Sequence, residues 1–145
     1  MITCTFFGHR DAPWEIKDKA KKAIIELITQ HGVELFLVGD SDGFDRMVKN
    51  VLSELQPLYE FKFFVVLSRI PTKNRSEQYF DYSISVLPDG IESVLPRFRI
   101  DFRNKYMLKS SDYVISYIER EYGGAFKYYE KAKRKKLTVI NLAEK

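Results

Sequence analysis

The chain has 145 residues, of which 45% are apolar and 30% charged, and 24 basic against 20 acidic residues give a formal net charge of +4. This length and composition suit one compact domain, residues 1–145, and the single Cys4 excludes an internal disulfide. No apolar stretch approaches the ~20 residues of a transmembrane helix and no cationic leader precedes the first apolar residues, so we expect a soluble, cytoplasmic protein without a membrane partner.

Short apolar runs alternate with amphipathic segments along the whole chain. The runs predict strands over residues 2–7, 33–38, 61–67, 82–87, 112–118 and 137–142. Apolar residues at helical spacing predict helices within 20–28, 44–55, 100–109 and 125–132. This alternation predicts an α/β fold, a single doubly wound and mainly parallel sheet with helices on both faces. The segment 68–99 is the least regular and predicts loops that shape a site or dock a partner.

Polar and glycine-rich motifs follow four of the predicted strands. They are GHR (8–10), GDSDGFD (39–45), SRIP (68–71) and ERE with YGGA (119–125). If the strands are parallel, these motifs lie along one edge of the sheet, where open α/β sheets bind their ligands. The sequence therefore predicts a ligand site at the carboxyl ends of the strands.

The first motif offers two cationic or hydrogen-bonding side chains. Gly8 ends the strand, and His9 and Arg10 are able to donate to phosphate oxygens. The alternative is that both are ordinary exposed loop residues.

The second motif has a structural and a ligand-binding interpretation. Ser41 or Asp42 is a candidate helix N-cap, and Gly43 a turn residue, which needs no ligand. We include Gly39, Ser41, Gly43 and Asp45 as candidate ligand-binding residues. Asp45 falls in the first helical turn, where it either complements the helix dipole or accepts a ribose hydroxyl.

Gly123 and Gly124 stand where an apolar strand turns into a helix. Glycines let the backbone approach another group closely, and a helix N-terminus presents unpaired N–H groups to an anion. The position of this pair predicts a phosphate-binding junction.

Two pairs of charged residues are spaced four apart in predicted helices. Arg99 and Arg103 are four apart on a predicted helix, and their repulsion indicates an anion between them or a nearby carboxylate such as Asp101. Glu130 is placed to pair with Arg134 at i,i+4, unless a neighbour from another segment uses it.

Several motifs together resemble the SLOG superfamily, a Rossmann-like group that includes the LOG phosphoribohydrolases and DNA-processing protein A. They are FFGHR, GFD, RNKYM (103–107), SDYVI, GGAFKYYE and VINL, and the likeness, which spans nearly the whole chain, is strongest to a compact YpsA-like branch. In the LOG enzymes a glycine pair opens a loop of the form Gly-Gly-x-Gly-Thr-x-x-Glu, and an upstream stretch has the form Arg-Lys-x-x-Met.

The resemblance places Gly123 and Gly124 at that glycine pair, Glu130 at the glutamate, and Arg103 and Met107 in the upstream stretch. Three positions depart from the pattern: Phe126 replaces the third glycine, Lys127 the threonine, and Asn104 the lysine. A phosphate would then be held by the N–H groups of Gly124 and Ala125 and by the charge of Lys127.

The resemblance implies a nucleotide or nucleotide-derivative pocket, and the altered loop favours a non-catalytic sensor. The second hypothesis is a phosphoribohydrolase acting on nucleoside monophosphates, in which Arg103 orients the substrate and Glu130 steadies an oxocarbenium-like transition state or activates water. The third is single-stranded nucleic-acid binding through the basic run 131–136, with Tyr128 or Tyr129 as stacking platforms unless they pack in the core.

Other cofactors have no sequence support. Neither G-x-G-x-x-G nor a P-loop motif follows any strand, and no zinc or redox motif is present, so we expect neither a cofactor nor a metal. Aromatic residues make up 14% of the chain, and we expect some of them to be exposed at a homodimer interface.

Overall fold

The computed structural model describes residues 1–71 and 84–144 and confirms an α/β fold. The strands are β1 (Thr3–Gly8), β2 (Leu35–Gly39), β3 (Lys62–Val66), β4 (Ser85–Val86), β5 (Tyr113–Tyr117) and β6 (Thr138–Asn141). The helices are α1 (Lys17–His31), α2 (Phe44–Leu55), α3 (Arg99–Lys109) and α4 (Gly124–Arg134). Within the strand predicted over 82–87, only Ser85 and Val86 are paired, and residues 82 and 83, like the rest of 72–83, lie outside the described residues.

All the strands run parallel in one six-stranded sheet of order β4-β3-β2-β1-β5-β6. The chain first moves outward from β1 to β4 and then crosses to the other side of β1 to form β5 and β6. The strand order therefore reverses between β1 and β5. In an open α/β sheet, this reversal opens a crevice above the carboxyl ends of the two strands.

Helices cover both faces of the sheet, as the sequence predicts. Successive residues of β1 point to opposite faces, so Phe6 packs with the apolar sides of α1 and α2, whereas Phe7 packs with those of α3 and α4. The ring of Phe7 stacks on that of Tyr128 at a centroid distance of 5.4 Å. Burial of each such aromatic side chain contributes about 1.5–3 kcal/mol, and these contacts fix α4 over the centre of the sheet.

Among residues 1–71 and 84–144, no helix combines the length and the apolar character that crossing a bilayer would require.

Candidate functional site

A cavity of about 340 Å³ opens at the carboxyl edge of the sheet, where the strand order reverses. Its walls come from the end of β1, the loops after β2 and β5, and the N-terminal turns of α2, α3 and α4. The lining residues are Phe6, Phe7, Gly8, His9, Arg10, Ser41, Asp45, Ile100, Arg103, Asn104, Arg120, Gly124 and Ala125. The position agrees with the edge at which the sequence predicts a ligand site.

Close packing explains three of the glycines around this cavity. A Cβ on Gly8 would overlap the ring of Phe44, and one on Gly39 would lie 2.5 Å from Asp45 Oδ2. Gly43 has φ 71°, and a Cβ there would overlap the carbonyl of Arg10. Gly43 is also the N-cap of α2, and no side chain caps this helix, so the expectation that Ser41 or Asp42 is the cap is wrong.

The glycine pair before α4 behaves differently, because its backbone faces open space. Gly123 has φ 96°, and, apart from chain neighbours and the nearby backbone of α4, no atom of the described chain lies within 4 Å of a Cβ built on either glycine. The first hydrogen bond inside α4 runs from Lys127 N to Gly123 O at 3.1 Å. The N–H groups of Gly124 and Ala125 therefore precede Lys127 N, the first donor of this helical ladder, and both residues line the cavity.

Arg103 lies beneath the cavity with a side chain only 5% exposed. Its Nη1 donates to Asp40 Oδ1 at 2.6 Å and to Ser41 Oγ at 3.2 Å. Its Nε and Nη2 both donate to Asn104 Oδ1, at 3.2 and 3.0 Å. These bonds use four of the five guanidinium N–H groups, and Asp45 Oδ2 lies 4.0 Å from Nη2.

The partner that the sequence offers for Arg103 is therefore wrong. The Asp101 carboxylate instead accepts bonds from Lys127 Nζ at 2.8 Å and from the Tyr128 hydroxyl at 2.7 Å. The acid that pairs with Arg103 is Asp40, which also accepts bonds from the N–H and the hydroxyl of Ser68. One carboxylate thus joins the end of β2, the end of β3 and α3.

Asp45 is a buried carboxyl group in the cavity wall. Its Oδ2 accepts a hydrogen bond from Ser41 N at 3.2 Å. Burial raises the pKa of Asp45 to about 6, although the charge of Arg103 opposes this rise. Asp45 therefore exchanges its proton close to neutral pH, and when ionised it offers oxygens to donors in the cavity.

His9 is an acceptor in this structure. The backbone N–H groups of Glu119 and Arg120 both point at His9 Nε2, at 3.1 and 3.2 Å. Burial and the nearby charge of Arg120 lower the pKa of His9. Because Nε2 must be unprotonated to accept these bonds, only Nδ1 of the neutral ring carries a hydrogen.

The two arginines of the cavity wall differ in their surroundings. Arg10 is exposed, and its charge acts on Asp45. Arg120 forms a two-pronged ion pair with Asp11, with distances of 2.8 and 2.9 Å. Arg10 is therefore the more exposed cation of the wall, and Arg120 is held by its ion pair.

The structure brings together eight of the residues selected from the sequence: Gly8, His9, Arg10, Ser41, Asp45, Arg103, Gly124 and Ala125. Six others do not belong to the lining formed by the described residues: Gly39, Gly43, Gly123, Arg99, Lys127 and Glu130. The last three have other partners. Arg99 Nε donates to the carbonyl of Val94 at 2.8 Å, Lys127 pairs with Asp101, and Glu130 lies 3.7 Å from Lys133. The partner of Glu130 is thus Lys133 at i,i+3, whereas the sequence offered Arg134.

Sequence reasoning did not select Asp40, Asn104, Arg120 or Ile100. Asp40 and Arg120 lie inside the motifs GDSDGFD and ERE, so their place at strand ends was a usable signal. In the sequence, Asn104 is recognisable only as the residue that replaces the lysine of the LOG pattern. In the structure it accepts two bonds from Arg103, which gives that departure a physical role.

No model of a known protein family matches the chain, and no curated protein does either.

The cavity thus combines two chemical environments. Its lining includes backbone N–H groups of α4 and the cations of Arg10 and Arg120, which suit an anion. It also includes the Asp45 carboxyl and Ser41, which suit hydroxyl groups. Among the described residues, no group of three or more His, Cys, Asp or Glu side chains is arranged to hold a metal ion.

Proposed function

We propose that this protein binds a nucleotide or nucleotide derivative in the cavity and acts as a sensor or regulatory module. The observation that carries the proposal is the open backbone of Gly123 and Gly124 at the start of α4, beside a cavity at the reversal of strand order that Gly124 and Ala125 line. Helix N-termini in such crevices are the usual phosphate sites of open α/β sheets.

The phosphate would lie against α4, with Arg10 as its cationic neighbour. The ribose would lie toward Asp45, whose ionised carboxylate accepts hydroxyl hydrogens, and toward Ser41. A volume of about 340 Å³ is at the lower end of the range for small-molecule sites. A mononucleotide is therefore a better match for the cavity than a dinucleotide.

Two observations favour binding over glycosidic cleavage. The proposed orienting residue, Arg103, already uses four of its five N–H groups within the protein, so little of its donor capacity remains for a substrate. The proposed catalytic Glu130 has a 31% exposed side chain beside Lys133, and the lining of the cavity does not include it within the described chain. Hydrolysis of nucleoside monophosphates remains the second candidate.

Nucleic-acid binding has weaker support, because its proposed stacking platforms are buried. Tyr128 is 1% and Tyr129 9% exposed, and Tyr128 stacks on Phe7 in the core. Neither ring is available to a nucleobase without unpacking α4. The basic run 131–136 then acts as a solvated helix end.

We further propose that the protein belongs to the SLOG superfamily, that it is cytoplasmic, and that it forms a homodimer. Exposed apolar side chains such as Leu95, Phe98 and Tyr122 are available to an interface. Light scattering tests the dimer, and a monomer mass would reject it.

The test of nucleotide binding begins without a chosen ligand. The purified protein is denatured, and the small molecules released are identified by mass spectrometry. In parallel, thermal unfolding is followed with each common nucleoside mono-, di- and triphosphate. We expect one nucleotide class to raise the melting temperature, because a ligand of the native state stabilises it. Release of free base in the same mixtures would favour the hydrolase, and no shift with any compound would reject the proposal.

A further inference from the structure

His9 joins the two loops that flank the reversal of strand order. It follows β1, and its Nε2 accepts hydrogen bonds from the backbone N–H groups of Glu119 and Arg120. These two residues lie more than a hundred positions later in the chain. The ring is 6% exposed and stands edge-on to Tyr117 at a centroid distance of 6.3 Å. His9 is therefore a buried acceptor shared by two backbone donors.

A second contact joins the same two loops. Arg120 forms its two-pronged ion pair with Asp11, two residues after His9. His9 thus holds the loop after β5 through two backbone N–H groups, and Asp11 holds the same loop through the side chain of Arg120. This loop leads directly into Gly123 and Gly124, so it sets where α4 begins.

The two backbone donors require an unprotonated Nε2. Protonation would turn this nitrogen into a donor facing two N–H groups, and both hydrogen bonds would be lost. The charged groups around the ring do not all favour one state: Arg120 opposes protonation, whereas Asp11 and Glu119 favour it. Burial adds to the effect of Arg120 and lowers the pKa of His9.

We propose that His9 is a positioning residue for the anion site, which works as a neutral acceptor that holds the loop before α4 and contributes no positive charge to the ligand. This inference rests on the proposed nucleotide binding. It reverses the expectation from sequence, in which His9 donates to a phosphate. Ligand affinity is then lost as His9 gains a proton, whereas a phosphate-binding imidazolium would gain affinity.

The first experiment needs no ligand. The chain has only two histidines, and His31 at the end of α1 serves as the control, so a His31→Gln variant assigns both rings. Long-range ¹H–¹⁵N correlation spectra of the wild type, recorded from pH 8 to 4.5, report the tautomer and the titration of each ring. We expect His9 at high pH to carry its hydrogen on Nδ1, and the amide signals of Glu119 and Arg120 to move as His9 titrates.

The second experiment measures adenosine 5′-monophosphate affinity by calorimetry over the same pH range in the wild type and in His9→Gln. Gln is chosen because its side-chain oxygen reaches roughly as far as Nε2 and does not titrate. Asp45 and the phosphate of the probe also titrate in this window, but they do so equally in both proteins. We expect the wild type to lose more affinity than His9→Gln as the pH falls through the range in which the His9 signals titrate, because protonation depopulates the binding-competent loop. His31→Gln should match the wild type.

The outcomes separate this inference from the proposed function. A hydrogen on Nε2 at pH 8, or amides that ignore the titration, would overturn the positioning role even if the nucleotide binds. Equal pH profiles in the wild type and His9→Gln would overturn it too. If the tautomer is as expected but no nucleotide binds at any pH, the proposed function fails and the positioning role fails with it, and the hydrogen bonds of His9 are then structural only.

Discussion

Arg103 Nη1 and Asp40 Oδ1 lie 2.6 Å apart, and both side chains are less than one-tenth exposed. The pair joins the first turns of α3 to the end of β2, directly beneath the cavity. A buried pair of this kind is costly to break, because removal of one partner leaves the other charged and without compensation. The floor of the cavity therefore depends on an ion pair between residues 63 positions apart.

Replacement of Arg103 by Met should lower the free energy of unfolding by about 3–5 kcal/mol, because Asp40 would keep its hydrogen bonds from Ser68 but lose the guanidinium that balances its charge. The matched control is Arg46→Met, which breaks the surface pair with Asp42, where both side chains are at least 70% exposed. That change should cost at most about 0.5 kcal/mol. Urea denaturation of the three proteins measures both values, and equal losses would show that the Arg103–Asp40 pair contributes no more than a surface contact.

Asp45 gives a specific pH dependence. Its folded pKa of about 6 is above the ordinary value of 3.8, so the native state binds the extra proton between these values. Its contribution to stability is thus fully present below pH 3.8 and is lost as the pH rises through about 6.

Relative to Asp45→Asn, the wild type should therefore lose on the order of 2–3 kcal/mol between pH 4 and 7. Chemical denaturation at intervals of half a pH unit measures this difference. Asp42→Asn is the control, because it makes the same change of charge at an exposed position of the same loop. A flat difference for Asp45→Asn would show that this carboxyl group titrates as it does in the unfolded chain.

Gly43 tests how closely the loops after β1 and β2 must approach. Gly43→Ala has two effects. The new Cβ overlaps the carbonyl of Arg10, and alanine must adopt a positive φ of 71°, which residues with a side chain disfavour. Gly90→Ala is a control for positive φ, since Gly90 has φ 85° and ψ 1° and its nearest neighbour would be Phe102 Cζ at 3.8 Å, whereas Gly43 has ψ −117°, outside the left-handed helical region. Gly90→Ala should cost about 1–2 kcal/mol from backbone strain alone, and Gly43→Ala roughly twice that or more. Equal costs would mean that the Arg10 loop moves aside freely.

The strands were predictable because each is a short apolar run, and the edge that carries the site follows from parallel strands. The contacts within the site were not predictable in the same way. Spacing along α3 suggested Asp101 as the partner of Arg103, but Asp101 points to α4, where Lys127 and Tyr128 bind it. The observed partner, Asp40, is 63 positions away in the sequence. The strand order brings the two residues together, and no short sequence motif indicates that order.

His9 illustrates a second limit. Its position after β1 indicated a site residue, and the structure places it in the cavity wall. The residue type alone could not tell a donor from an acceptor, because that depends on backbone N–H groups from the loop after β5. The open space at Gly123 and Gly124, by contrast, agrees with what a glycine pair before a helix suggests.

If the glycine-rich N-terminus of α4 holds the phosphate of a nucleotide, as we propose, Gly124→Asp should weaken binding, and it tests this central claim most directly. The new carboxylate would occupy the anion position, yet as an acid in the first turn it should not weaken the helix. Ser53→Asp, at an exposed site on α2, makes the same change of charge away from the cavity. Calorimetry with the nucleotide identified from the purified protein should give wild-type affinity for Ser53→Asp and at least about a hundredfold loss for Gly124→Asp, with melting temperatures preserved. Unchanged affinity in a folded Gly124→Asp protein would contradict the account.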